Sequence, residues 1–109
     1  MAKGYLIDAQ NKNIREVEYH SLQEMRELIG GHIELAHMHN TGDVLYVDEE
    51  ALIKETPHYF WYAHRTDHPL FGNGLLVGRE IEGEEYPEGY TTLPPKMSLL
   101  QLTVRVRFP

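Results

Sequence analysis

Apolar and polar positions change period several times along the chain, and each change marks an element. "GYLIDA" (Gly4 to Ala9) is a short apolar run that stops at the polar cluster "DAQNKN", a pattern that predicts a strand entering a turn. In "IREVEYH" (Ile14 to His20), Val17 and Tyr19 alternate with Glu16 and Glu18, so a second strand returns and should pair with the first as a hairpin. "SLQEMRELIGG" then shifts to helical spacing. Ser21 followed by Glu24 reads as a capping box; Leu22, Met25 and Ile29 form one apolar stripe, widened by Leu28; Gly30 and Gly31 supply a stop. A Met and Leu stripe of this kind is a core face rather than a cofactor site.

Alternation resumes in "HIELAHMH" (His32 to His39), where Ile33 and Leu35 share a parity opposite to Glu34. "NTGD" (Asn40 to Asp43) has turn chemistry throughout, and "VLYV" (Val44 to Val47) is the returning strand of a second hairpin. "DEEALIK" is expected to form a helical turn capped by Asp48 and limited by Pro57. The aromatic run "HYFWYAH" (His58 to His64) and the Gly-bounded "GNGLLVGREI" (Gly72 to Ile81) read as strands. "EGEEYPEGYTTLPPK" (Glu82 to Lys96) has no period and reads as a long loop. "SLLQLTVRVRF" reads as a final strand, with Leu100, Leu102, Val104, Val106 and Phe108 on a buried face and Gln101, Thr103, Arg105 and Arg107 on a wet, basic one. These elements predict one α+β domain over residues 1–109: a mostly antiparallel sheet of about six strands with one main helix packed on one face.

Composition narrows the function classes. A chain of 109 residues can bury one core unaided. Its net charge of -7 disfavours a protein held on nucleic acid by phosphate contacts or on an anionic membrane. With no cysteine there is no disulfide, thiolate nucleophile or zinc ribbon. No apolar run reaches the ~20 residues of a membrane helix, and the first ten residues do not read as a signal peptide, so a cytoplasmic protein is expected.

Seven histidines are the first candidates for chemistry. His37 and His39 lie two apart on a strand, and His64 and His68 flank Asp67 in "HRTDH", so a mixed nitrogen and carboxylate metal site can be drawn. "HRTDH" has the histidine spacing of a metalloprotease helix but lacks its glutamate and sits in a Pro-bounded segment. His37 and His39 also share parity with Ile33 and Leu35, so their rings can equally continue the core face. The carboxylates at Glu49, Glu50, Glu82, Glu84, Glu85 and Glu88 read as a solvated acidic face rather than an acid–base pair. No elbow serine, phosphate loop or dinucleotide fingerprint occurs, and no cofactor is implied. Along the aromatic strand, only two of Tyr59, Phe60, Trp61 and Tyr62 can face one way. If the helix leaves it uncovered, the outer pair offers a surface for a protein partner, extended by Tyr86 and Tyr90 in the acidic loop; the alternative is that both faces are packed.

Taken in order, "YLIDAQNKNIREVEYHSLQEMRELIGGHIEL", "GDVLYVDEEALIK" and "PLFGNGLLVG" resemble domain-of-unknown-function family 3846, small bacterial and phage proteins. The resemblance covers Gly4 to Glu80; the "HYFWYAHRTDH" segment and the tail after Glu80 depart from the pattern. It implies no activity, cofactor or catalytic residue, but it does imply a setting of phages, plasmids and their hosts. The expected function is therefore a non-enzymatic accessory or regulatory protein acting by protein–protein contact, with Tyr59, Trp61, Tyr86, Tyr90, Glu84 and Glu85 as the binding surface. The alternative is a metal-dependent hydrolase built on His37, His39, His64 or His68. An open sheet edge would also permit a homodimer.

Overall fold

A computed structural model describes residues 2–63, 65–80 and 92–109. Among the described residues the chain forms eight strands in two antiparallel sheets and two short helices: β1 (Ala2–Asp8), β2 (Asn13–Tyr19), α1 (Leu22–Ile29), β3 (Ile33–Met38), β4 (Val44–Asp48), β5 (Tyr59–Tyr62), β6 (Arg65–Phe71), β7 (Gly74–Val77), α2 (Leu99–Thr103) and β8 (Val106–Arg107). The larger sheet has the order β2-β1-β7-β4-β3 and the smaller β6-β5-β8. The α+β class and both expected hairpins are present, β1 with β2 and β3 with β4.

The expected single sheet of about six strands with one main helix on one face is corrected among the described residues to two sheets and two short helices, and the larger sheet is covered on both faces. In β7, Leu75 and Val77 point into a cluster with Met25 and Ile29 of α1, whereas Leu76 points into a second cluster with Phe60, Tyr62 and Leu70 of the smaller sheet and Leu102 of α2. Alternate side chains of the central strands therefore enter two different cores. This explains why "VLYV" and "GLLV" are continuous apolar runs: a strand buried on both faces has no polar parity.

Helix α1 starts where the capping signal places it. Ser21 accepts from the Glu24 amide at 3.1 Å, and Gly30 ends the helix in the left-handed region at φ 99. The Glu24 carboxylate lies beside His20 Nδ1, at 3.2 Å, rather than closing the reciprocal half of the box. After β4, residues 49–55 turn as expected, with Asp48 accepting from the Glu50 amide.

The final segment is the main correction. It is a helix followed by a two-residue strand, not one long strand. Ser98 and Gln101 form a complete capping box, each side chain bonded to the other's backbone N–H at 3.1 and 2.8 Å. Positions two apart lie on one side of a strand but about 200° apart on a helix. Leu102 is accordingly fully buried, while Leu100 and Val104 are both 73% exposed. Only β8 keeps the strand reading, pairing Arg107 with Trp61 and Val106 with Tyr62.

Candidate functional site

A β-bulge in β3 builds the site. Leu35 pairs with Tyr46, yet His37 pairs with the very next residue, Leu45, so Ala36 is an extra residue in the strand. Beyond the bulge the parity is reversed. His37 lies on the side of Leu45, facing the smaller sheet, and not with Ile33 and Leu35 as regular alternation would have it. His39 follows it there: its amide donates to the Asp43 carbonyl at 2.8 Å, which continues the ladder. The two imidazoles meet edge to face with centroids 4.6 Å apart, and His39 Nε2 lies 2.7 Å from the Tyr62 hydroxyl.

Tyr62 itself is buried. Burial pushes its phenol up to about 12; the Arg105 charge opposes this and the Asp43 charge adds to it. The phenol is therefore neutral near pH 7 and can donate to or accept from His39.

Asp43, in the predicted turn, has a role that its turn chemistry does not reveal. Its side chain is buried, and its two carboxylate oxygens accept the backbone N–H groups of Lys96 and Met97, each at 2.9 Å. This clamp fixes the chain entering α2 against the hairpin tip. Between the two lies a cleft of about 490 Å³, lined by His37, His39, Thr41, Lys96, Gln101 and Arg105 among others. The Arg105 guanidinium donates to the Gln101 carbonyl at 2.7 Å, which holds it along the helix. Lys96 and Arg105 carry no motif that a sequence reading could have caught; the Ser98–Gln101 spacing was the available signal.

The aromatic strand divides as alternation predicts. Phe60 and Tyr62 are buried; Tyr59 and Trp61 are half-buried on the other side. Tyr59 packs on Phe71 with centroids 5.4 Å apart. Trp61 lies under the Arg107 guanidinium at 5.4 Å and borders a groove of about 420 Å³ shared with Val104, Arg105 and Val106. Tyr86, Tyr90, Glu84 and Glu85, expected on the same surface, lie outside the described residues.

Of the four histidines considered as metal ligands, His37 and His39 come together. His68 lies beside Asp67 and Pro69, at a different cleft, and His64 lies outside the described residues. Among the described residues, no three His, Cys, Asp or Glu side chains group as a metal site. No helix among them is long and apolar enough to cross a membrane.

An α+β domain of two packed antiparallel sheets with a polar cleft at one hairpin tip is the class that the geometry defines. The chain belongs to the family described as Domain of unknown function (DUF3846), whose profile matches residues 2–100. The match spans the "HYFWYAHRTDH" segment and most of the tail after Glu80, and residues 101–109 lie outside it. Comparison with curated proteins gives no match, and comparison with solved structures gives none either.

Proposed function

We infer that this protein is a non-enzymatic accessory protein, in a phage or plasmid setting, that acts by binding another protein through the surface around Trp61. The observation that supports this most is the association of Trp61 with Arg107 and with the outward side of α2. A half-buried indole and a guanidinium over it are the residue types that dominate binding energy at protein interfaces, and the exposed Val104 beside them adds apolar contact area.

Charge points to the chemistry of the partner. The chain is acidic overall, yet residues 98–109 contain two arginines and no Asp or Glu. A partner segment that presents carboxylates around an apolar anchor complements this surface and would be repelled by most of the remainder.

A photo-crosslinking residue at position 104 tests the reading. The expected result is one dominant adduct from host extract that weakens as salt rises. It should be lost in Trp61→Ala and in Arg107→Glu, and kept in Ile53→Ser, a substitution at a separate, 81% exposed position. An adduct indifferent to Trp61 and Arg107, or none at any ionic strength, overturns it. An adduct with a second copy of the chain replaces the foreign partner with a homodimer.

A further inference from the structure

We propose that the cleft between the β3–β4 hairpin tip and α2 is a binding site for a small phosphorylated molecule. Its volume of about 490 Å³ falls in the range of small-molecule sites. Its lining is chemically one-sided. Among the described residues of a chain with 17 acids, no Asp or Glu side chain lines this cleft, whereas Lys96 and Arg105 both do. Among the described residues neither cation forms an ion pair. The carboxylate of Asp43 is buried beneath the wall, and both of its oxygens are engaged by the amides of Lys96 and Met97. That clamp keeps the one acid of the hairpin tip out of the cleft and sets Lys96 at its rim.

The donor set selects among anions. A primary ammonium and a guanidinium come from separate segments, together with the Thr41 hydroxyl and the Gln101 amide. These are more donors than the two oxygens of a carboxylate can use. They match the three terminal oxygens and near-double charge of a phosphate monoester. The cleft is larger than a phosphate group, and Met97 gives it adaptable apolar wall for the esterified body.

Calorimetric titration of the full chain with ribose 5-phosphate, inorganic phosphate, ribose and succinate tests this. Ribose 5-phosphate should bind more tightly than inorganic phosphate, and ribose and succinate should not bind measurably. Lys96→Met and Arg105→Gln should each weaken the phosphate ester by about tenfold or more, the loss of one charge-assisted hydrogen bond. Lys3→Met, on β1, should leave the affinity unchanged. Lys96 is exposed, so its variant retains the fold even if the Arg105 variant does not. Absence of binding by either phosphate at millimolar concentration overturns the proposal. So does succinate binding as well as the ester, or an affinity that Lys96→Met does not alter.

Discussion

Asp43 and Met97 are 54 residues apart in the chain, yet a buried Asp43 oxygen accepts the Met97 amide at 2.9 Å. With the matching bond from Lys96, this contact ties the second hairpin to the C-terminal helix. Asp43→Ala leaves two amides without an acceptor, one of them fully buried. A loss of about 3 kcal/mol is expected, with the melting temperature falling by roughly 10–20 °C. Asp43→Asn keeps one acceptor and should fall between. Urea unfolding of the three proteins gives the order.

The bulge makes an unusual prediction for a deletion. Because Leu35 and His37 already face consecutive residues of β4, removing Ala36 restores a regular strand without changing which side His37 and His39 face. The deletion should fold at a cost of about 1–2 kcal/mol from lost Ala36 packing. Nuclear Overhauser contacts between His39 and Tyr62 should survive it. In an unbulged strand the same deletion would swing both histidines to the α1 side and abolish those contacts.

Alkaline pH should expose the buried phenols. Tyr19, whose hydroxyl bonds Thr92, and Tyr62 are both pushed up to about 12, chiefly by burial. An unfolded phenol titrates near 10. Below about pH 10 both states hold the proton and the contribution is complete. Between about 10 and 12 the unfolded chain releases protons that the folded chain keeps, so stability falls as pH rises. Unfolding midpoints between about pH 9 and 11 should decline, and Tyr62→Phe should decline less steeply than the wild type. Equal slopes would show that Tyr62 is not shielded.

Gly78 and Gly30 should respond differently to alanine. A Cβ at Gly78 would press into the backbone carbonyls of Leu93 and Pro94, which are held by the Gly78–Leu93 and Leu93–Arg79 hydrogen bonds and cannot yield. A loss of about 3 kcal/mol or more is expected. At Gly30 the space is open and only the left-handed backbone resists, at about 1–2 kcal/mol. Thermal melting of the two variants checks the ranking.

Much of the fold was legible because local and tertiary demands agree. Ser21, the α1 stripe and Gly30 all specify the same helix, and "NTGD" specifies its turn. The end of the chain misled because alternation from Leu100 to Phe108 fits a strand on parity alone. The competing Ser98–Gln101 box is worth more than parity once Leu102 has a core to enter. A single extra residue, Ala36, hid the orientation of His37 and His39, since a bulge leaves no compositional trace. The role of Asp43 depends on amides more than fifty residues away and was beyond any local pattern.

Trp61 is the only tryptophan in the chain, so 5-fluorotryptophan incorporated into this chain alone gives a signal from the inferred contact surface that a partner's tryptophans do not share. The decisive measurement is acrylamide quenching of the labelled Trp61 in the free protein and in the reversible complex with the partner that cross-linking identifies, at low salt. Burial of the indole beneath the partner should lower the quenching constant several-fold, and Arg107→Glu should restore the free value by preventing the complex. A quenching constant that stays the same when the partner is bound would place the contact elsewhere and contradict the account.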